Sequence, residues 1–387
     1  MSRTIIHLDL DAFFCAVEQL RNPDLIAVPF AVGGQPETRG VVASCSYAAR
    51  MFGIRSAMPM IRAKQLCPQL IVVPPNHKDY QKLSKNVMGY LSQISPIMEQ
   101  LSIDEAFLDV SDMPDHPDML ASRIQARIKS EFLLPCSLGV AINKLVAKIA
   151  NDYGKSKNRS ANPPSAITIV APGEEENFLA PLPVIALWGV GPKTSLKLEE
   201  MGIRTIGELA TMPEDELVFR FGKNGRILAR HSKGIDDSPV HTFHEIKSIS
   251  QETTFLKDIT DLFELRQTLK KLCERVGFRL RSERFTARTV KLKLRWYDFT
   301  TLTRQFTFAR PTNQTKAIYL EADKLLLKNW LDRKPVRLIG VGLSGFETNV
   351  RQLGFWDTSI ERSQRLQEAL DELQNRYGKN SIRRGNL

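Results

Sequence analysis

The first strand pattern of the chain contains acidic side chains. Residues 4–14 alternate apolar and polar positions, which predicts a β-strand with Asp9 and Asp11 on one face and apolar side chains on the other. Carboxylates in a sheet-forming region are energetically costly unless a positive charge neutralises them. One strand cannot supply a complete cation site, so a second acid-bearing strand is expected beside it.

Residues 101–110 meet that expectation. The adjacent acids Asp104 and Glu105 lie between two apolar runs that predict β-strand. Ligands that are all oxygen atoms suit Mg²⁺, and Mn²⁺ can substitute for it. Two strands that each bring carboxylates to one edge predict a two-metal site for phosphoryl transfer.

Periodic apolar positions predict the elements around these strands. Spacings of three and four residues predict helices at 12–20, 80–94, 119–131 and 144–151, and residues 136–141 predict a further strand. Apart from the helix at 12–20, the elements from residue 4 to residue 141 then follow the order strand, helix, two strands, helix, strand. This order is the split-βαβ pattern of a ferredoxin-like domain.

The net charge narrows the possible partners. The 387 residues contain 54 Lys and Arg against 43 Asp and Glu, and residues 245–347 hold 21 of those cations against 12 acids. This balance favours a polyanion such as nucleic acid. The five cysteines are dispersed, which favours a reducing compartment over a disulfide framework or a zinc site. No apolar run reaches membrane-spanning length and no signal sequence precedes the first strand, so we expect a cytoplasmic protein without membrane contact.

Two further patterns suit a nucleic-acid backbone. Residues 187–198 have the form of a helix–hairpin–helix, in which glycines permit positive φ and bring backbone N–H groups close to a phosphate. Residues 290–296 alternate apolar side chains with cations, which predicts a strand with one positively charged face. The predicted DNA contacts in these two segments, with one preceding arginine, are Gly189, Gly191, Lys193, Arg288, Lys291, Lys293 and Arg295.

Three segments resemble motifs of one enzyme family. Residues 9–14 (Asp-Leu-Asp-Ala-Phe-Phe) and 102–106 (Ser-Ile-Asp-Glu-Ala) resemble the catalytic motifs of Y-family DNA polymerases, specifically the DinB type. Residues 47–59 resemble the fingers segment of that family, and the likeness continues at similar spacing over nearly the whole chain. The resemblance implies an α+β multidomain fold. Its parts are a ferredoxin-like palm (1–12 and 78–168), a small fingers insertion (13–77), a helical thumb with the helix–hairpin–helix (169–234), a linker (235–247), an α/β little finger that grips duplex DNA (248–348) and a C-terminal tail (349–387).

The resemblance also implies roles for single residues. The catalytic, metal-binding acids would be Asp9, Asp104 and Glu105, and the backbone carbonyl of Leu10 would be a further metal ligand. Tyr47 and Arg50 would hold the β- and γ-phosphates of the incoming nucleotide. Lys155, expected just after its helix, would touch the triphosphate. Phe14 would exclude ribonucleotides, while Ala43 and Ser44 would cover the nascent base pair. The residues that contact the incoming deoxynucleotide would be Phe13, Phe14, Tyr47, Arg50 and Lys155.

The C-terminal tail contains an apolar segment with two interpretations. Gln352, Leu353, Phe355 and Trp356 resemble the short peptide by which bacterial polymerases dock into a sliding clamp. These side chains could instead pack on the little finger or on the helix predicted after Asp357.

The sequence as a whole predicts a monomeric, low-fidelity, template-directed DNA polymerase for translesion synthesis and DNA repair. Its partners would be primer–template DNA, deoxynucleoside triphosphates, two Mg²⁺ ions and a sliding clamp. One alternative is a catalytically inactive DNA-binding protein of the same fold, which need not keep all three acids. Another is a nucleotidyl cyclase on a similar palm, which has no use for the hairpin or the basic block.

Overall fold

The computed structural model of the chain describes residues 3–157, 160–243, 245–330, 334–348, 369, 371–373 and 376–378. The chain divides into two compact units, residues 1–244 and 245–387. Within the described ranges, every helix is too short or too polar to cross a membrane.

The first unit contains eight of the strands that the structure describes. They are β1 Ile5–Leu10, β2 Phe30–Gly33, β3 Val42–Cys45, β4 Ile71–Val73, β5 Met98–Gln100, β6 Glu105–Asp109, β7 Cys136–Ala141 and β8 Ile167–Ile169. Its described α-helices are α1 Phe13–Arg21, α2 Tyr47–Arg50, α3 Met60–Leu66, α4 His77–Ile94, α5 Pro117–Phe132, α6 Lys144–Lys157, α7 Glu175–Leu179, α8 Pro192–Glu200, α9 Ile206–Ala210, α10 Glu214–Phe221 and α11 Lys223–His231.

A five-stranded sheet in the order β5-β6-β1-β7-β8 lies at the centre of this unit. Strand β1 is antiparallel to both β6 and β7. The order of the first four strands is that of a ferredoxin-like domain, with β8 added in parallel to β7. The predicted palm fold is therefore confirmed.

Strand β1 is buried on both faces because helices cover the sheet on each side. Ile6, Leu8 and Leu10 belong to a core that also includes apolar side chains of α1, α4 and α5. Ile5, on the opposite face, belongs to a second core with α6 and the thumb helices. The alternation in the sequence thus reflects two different cores rather than one core and solvent.

The fingers contain a separate small core. Strands β3, β2 and β4 form a three-stranded sheet, in that order, whose buried side chains lie between Ala31 and Leu70. Helix α1, which the sequence predicts as part of the fingers, packs through Phe13, Cys15 and Val17 into a core that joins palm side chains with Phe30 and Val32 of β2.

The segment after α11 is bound to the palm. The Asn143 amide donates to the Gly234 carbonyl at 2.7 Å, and the backbone N–H of His241 donates to Glu99 at 2.9 Å. The first part of the predicted linker, 235–247, is therefore fixed by hydrogen bonds within the first unit.

The second unit is a four-stranded sheet covered by two long helices. Its described elements are β9 Ser248–Ile259, α12 Leu262–Ser282, β10 Phe285–Trp296, β11 Thr301–Thr312, α13 Thr315–Asn329 and β12 Val336–Thr348. The strand order is β11-β10-β12-β9, and each neighbouring pair is antiparallel. The apolar side chains of β10 share a core with both helices, and on its charged face Lys291 is exposed while Lys293 and Arg295 are partly exposed.

Candidate active site

The three predicted catalytic acids meet at one edge of the palm sheet. Asp9 pairs with Glu105 in the register of β1 and β6. The backbone N–H of Leu10 donates to the Asp104 carbonyl at 3.0 Å, just before β6 begins. The antiparallel register therefore brings together acids that lie about a hundred residues apart in the sequence.

Asp9 is held by a lysine of α6. The Lys155 ammonium contacts the Asp9 carboxylate and lies 3.4 Å from Asp11. Burial, together with Glu105 and Asp104, raises the pKa of Asp9 to about 7, although Lys155 opposes this shift. Burial alone would lower the pKa of Lys155, but the charges of Asp9 and Asp11 outweigh it and raise that pKa. Lys155 alone therefore does not neutralise the negative charge of Asp9 and Asp11.

Glu105 lies between a lysine and a buried histidine. Lys148 donates to Glu105 at 2.9 Å, and His7 Nε2 lies 3.6 Å from Glu105 Oε2, beyond hydrogen-bond length. The amide of Asn151 is 2.9 Å from His7 Nδ1, which places the ring proton on Nε2, directed towards Glu105. Nearby His7 and the Lys148 ammonium hold the pKa of Glu105 well below its usual range. Burial lowers the pKa of His7, so this ring is neutral.

Asp104 has a hydroxyl partner, and within the part of the chain that the structure describes it forms no ion pair. The Ser102 hydroxyl donates to Asp104 at 2.5 Å, and burial raises the pKa of Asp104. Asp104 and Asp9 are therefore the two carboxylates of the cluster whose charged forms a further positive charge would stabilise most.

The donor set suits a divalent cation, but the carboxylates do not converge in this conformation. Among the described residues, no three His, Cys, Asp or Glu side chains are arranged as ligands of one metal ion. The reason is that Asp9 turns to Lys155, Asp104 to Ser102 and Glu105 to Lys148. Oxygen donors are nevertheless what a Mg²⁺ site requires, and a divalent cation would favour the charged forms of Asp9 and Asp104, whose pKa values burial raises.

A cleft of about 340 Å³ opens beside the acids. Palm and fingers both contribute to its wall, and all five residues predicted to contact the nucleotide lie in it. Its lining residues are Asp9, Leu10, Ala12, Phe13, Phe14, Ala43, Ser44, Tyr47, Arg50, Ser56, Ile103, Asp104 and Lys155.

On the fingers side, helix α2 presents Tyr47 and Arg50 together. The Arg50 guanidinium lies 4.3 Å from the centre of the Tyr47 ring. The Ser46 hydroxyl accepts a hydrogen bond from the Ala49 N–H at 3.1 Å and begins the helix. Burial raises the pKa of Tyr47, so its hydroxyl remains a donor. A cation and a hydroxyl donor on one turn form a suitable phosphate contact.

On the palm side, the two phenylalanines differ in their surroundings. Phe13 is 2% exposed and belongs to the palm core beneath the cleft. Phe14 is half-buried, and its ring stacks on Tyr80 with centroids 4.3 Å apart. Lys155 lies within α6, which continues to Lys157, whereas the sequence analysis placed it just after the helix.

In the thumb, only one of the two hairpin glycines has the expected conformation. Gly189 has φ 97°, in the region that favours glycine, but Gly191 has φ −87°, which any residue adopts. The prediction of a positive φ at Gly191 is therefore wrong. Gly191 is instead the N-cap residue just before α8, and Lys193 lies in the first turn of that helix.

In the second unit, the register places three predicted cations on one face of β10. Lys291 and Lys293 pair with Gly342 and Gly340 of β12, and Arg295 lies two residues further along the strand. Lys293 also forms an ion pair with Glu252 at 2.8 Å.

Arg288 has a different position from these cations. The pairing of β10 with β11 is irregular between Ala287 and Thr289, so Arg288 lies at a bulge. Its guanidinium forms an ion pair with Glu347 at 2.7 Å.

The predicted clamp segment, Gln352, Leu353, Phe355 and Trp356, lies outside the described residues.

Sequence reasoning missed His7, Lys148 and Asn151. His7 lies two positions before Asp9, so strand alternation could have placed it on the acidic face. Lys148 precedes Lys155 by seven residues, the spacing of two helical turns. No local signal connects Asn151 with His7, since only the packing of α6 on β1 makes that contact.

Comparisons with known proteins agree with this geometry. The model of the impB/mucB/samB family matches residues 8–152, and that of its C-terminal domain matches residues 246–355. A model described as the thumb domain of DNA polymerase-iota matches residues 185–236. A DNA polymerase IV from Dehalococcoides mccartyi (strain CBDB1) is 41% identical over 389 residues, covering 99% of this chain and 97% of that protein. One from Desulfatibacillum aliphaticivorans is 39% identical over 385 residues, covering 98% and 95%.

Solved structures give the same result. A Y-family DNA polymerase chimera of Dbh and Dpo4 has a TM-score of 0.79 at 27% identity, covering 89% of this chain and 100% of that chain. DinB from Sulfolobus solfataricus has a TM-score of 0.59 at 27% identity, covering 88% and 98%. The acidic edge, the shared cleft and these matches lead to one conclusion: the chain belongs to the impB/mucB/samB family and is a Y-family DNA-directed DNA polymerase of the DinB type.

Proposed function

We propose that this polymerase extends a primer 3′-hydroxyl with deoxynucleotides at low fidelity and copies past damaged template bases. The observation that supports this best is the single cleft in which Asp9 and Asp104 of the palm meet Tyr47 and Arg50 of the fingers. Two similar structures are described as an insertion ternary complex and a post-insertion binary complex of Dbh DNA polymerase. They support primer–template DNA and an incoming nucleotide as partners of this chain.

Y-family DNA polymerases use divalent metal ions. We propose that Asp9, Asp104, Glu105 and the Leu10 carbonyl hold two Mg²⁺, for which Mn²⁺ can substitute. When bound, the two ions supply the charge that lowers the pKa of the primer hydroxyl and neutralises the leaving pyrophosphate. The ion pair of Lys155 with Asp9 supports a role for this lysine as an exchangeable cation, which moves to the triphosphate when the nucleotide enters.

The remaining cleft residues hold the nucleotide. Tyr47 and Arg50 bind the β- and γ-phosphates through a hydroxyl and a guanidinium. Phe14 lies under the sugar and excludes a 2′-hydroxyl by contact. Ala43 and Ser44 cover the base pair with small side chains, so selection rests mainly on base pairing, which tolerates lesions.

Grip on the duplex comes from regions that contact phosphates. The Gly189 turn and the first turn of α8 offer backbone N–H groups and Lys193 to one strand. The exposed face of β10 offers a row of cations. Both contacts are independent of base identity, so the enzyme has no sequence preference.

Tethering, oligomeric state and location complete the proposal. Gln352, Leu353, Phe355 and Trp356 dock into a sliding clamp, because a polymerase that holds DNA through phosphates dissociates readily. The enzyme acts as a monomer in the cytoplasm, and the five buried free cysteines support a reducing compartment. In a Leu353→Ala and Phe355→Ala variant, a loaded clamp should no longer stimulate extension, while extension without clamp should equal that of the parent.

The decisive experiment is primer extension on a primed single-stranded template with Mg²⁺ and deoxynucleotides. A second template with one abasic site tests lesion bypass. Extension of the undamaged template and insertion opposite the abasic site are expected. Failure to extend the undamaged template would refute the proposed polymerase activity. Failure to insert a nucleotide opposite the abasic site would refute the proposed lesion bypass.

A further inference from the structure

Helix α1 contains a buried carboxylate that the proposed chemistry does not use. Glu18 is 4% exposed, and the Tyr80 hydroxyl donates to its Oε1 at 2.6 Å. Tyr80 itself is fully buried, in the first turns of α4. Burial and the bond to Glu18 raise the pKa of Tyr80, so its hydroxyl keeps the proton that it donates.

Tyr80 supports the ring that would face the sugar. The rings of Tyr80 and Phe14 are stacked, with centroids 4.3 Å apart and an interplanar angle of 14°. The ring centroids of Phe13 and His77 lie 6.3 Å and 6.0 Å from that of Tyr80, both in edge-to-face arrangements. Phe14 can therefore retreat from the cleft only if Tyr80 moves as well.

Glu18 is fixed in turn by a cation from its own helix. Arg21, one turn further along α1, donates to both carboxylate oxygens of Glu18 at 3.0 and 3.2 Å. The same guanidinium forms an ion pair with Asp79, the residue before Tyr80, at 3.2 Å. Helices α1 and α4 are thus connected by charged contacts that meet the Tyr80 hydroxyl at Glu18.

We propose that Glu18 is a positioning residue for sugar selection, which acts through the Tyr80 hydroxyl to fix the plane and depth of the Phe14 ring. This inference rests on the proposed function of Phe14 as the residue that excludes ribonucleotides. Rejection by contact requires a wall that does not yield, because a displacement of about 1 Å is enough to admit a hydroxyl group. The stack provides the wall, and the Glu18 carboxylate prevents Tyr80 from tilting.

The test compares four variants by the ratio of kcat/KM for a deoxynucleotide to that for the matching ribonucleotide. Glu18→Leu removes the acceptor, and Tyr80→Phe removes the donor but keeps the stack. Glu18→Gln retains an oxygen that can accept from Tyr80. The reference is Phe14→Ala, which removes the wall itself.

Glu18→Leu and Tyr80→Phe should each lower the ratio by about tenfold, the scale on which packed pockets discriminate single small groups. The change should appear mainly as a lower KM for the ribonucleotide, while kcat for the deoxynucleotide stays near that of the parent. Glu18→Gln should restore most of the ratio. The matched control is Glu131→Leu, which breaks an exposed pair with Arg127 on α5 and should leave the ratio unchanged.

The outcomes separate the two hypotheses. If Phe14→Ala lowers the ratio but Glu18→Leu and Tyr80→Phe do not, the positioning role of Glu18 is wrong and the function of Phe14 stands. If Phe14→Ala also leaves the ratio unchanged, the proposed function of Phe14 is wrong and the inference fails with it. Because Glu18→Leu could unfold the protein, Tyr80→Phe provides the same measurement without a buried charge change, and thermal midpoints identify a misfolded variant.

Discussion

The palm cleft and the sheet of the second unit use charge in opposite ways. In and beside the cleft, Lys155 pairs with Asp9 and Asp11 while Lys148 pairs with Glu105, and all of these side chains are at most 26% exposed. On β10, Lys291, Lys293 and Arg295 share one outer face of the sheet without a common acidic centre. A charge in the first region depends on the identity of its neighbour, whereas we expect charges in the second to act on a polyanion by their number.

The largest effect is expected from a carboxylate of the cleft. Asp104→Ala should slow single-turnover primer extension by about a thousandfold, because a group that organises charge at the reacting atoms is lost. DNA affinity, measured by fluorescence anisotropy, should change less than about twofold, since the phosphate contacts lie elsewhere. The control is Asp118→Ala, which removes an exposed acid at the start of α5. Near-normal extension by Asp104→Ala would refute the metal-binding assignment.

The next largest effect concerns stability. Lys144 and Glu99 form an ion pair of 2.9 Å whose side chains are only 6% and 4% exposed. Lys144→Met removes the ammonium and leaves Glu99 buried with less compensation. The free energy of unfolding should fall by about 3–5 kcal/mol in urea titrations.

The control for that substitution is the exposed pair of the palm. Arg127→Met removes the cation next to Glu131 on α5 and should cost less than about 1 kcal/mol. Adding Glu99→Leu to Lys144→Met should recover part of the loss, because no charge is then left buried. Equal costs for Lys144→Met and Arg127→Met would remove the distinction between buried and exposed charges in this protein.

A difference between local repeated patterns and single contacts explains what the sequence could predict. Alternation found β1 and the cation face of β10 because each pattern is local and repeated. The predicted helix at 144–151 ends six residues before α6 does, and Gly154 lies in the part that was missed. In the structure α6 continues past Gly154, where an added Cβ would lie 2.3 Å from Thr168 Oγ1 of β8. That glycine serves a close helix–sheet contact rather than helix termination.

Only those cleft residues that belong to sequence motifs could be predicted. The resemblance supplied Asp9, Asp104 and Tyr47, and the structure brings them to one cleft. His7 and the ion pair of Lys155 with Asp9 depend on contacts between residues far apart in sequence. Such contacts leave no periodic signal, so single-sequence reasoning cannot find them.

A third prediction tests the collective nature of the β10 face. Replacement of Lys291, Lys293 and Arg295 together by Ala should weaken binding to every duplex sequence alike. The slope of log affinity against log salt should become shallower by roughly 0.9 for each lost phosphate contact, so by about 2–3 in total. Extension at saturating DNA should remain near that of the parent. Lys324→Ala, an exposed cation of α13, is the control and should leave the slope unchanged.

The smallest effect is expected from the acid on the same sheet. Glu252 of β9 lies beside Gly340, which pairs with Lys293, and its carboxylate accepts a hydrogen bond from that lysine at 2.8 Å. The pair is partly exposed, so Glu252→Gln should change the free energy of unfolding by less than about 1 kcal/mol. DNA affinity should rise slightly, because the variant frees Lys293 for a phosphate and removes a repulsive charge from the face. The salt slope should therefore steepen by up to about 1. In the palm, by contrast, loss of one partner of a buried pair is expected only to destabilise. A fall in DNA affinity for Glu252→Gln would mean that the acid positions Lys293, and that this face depends on particular neighbours as the cleft does.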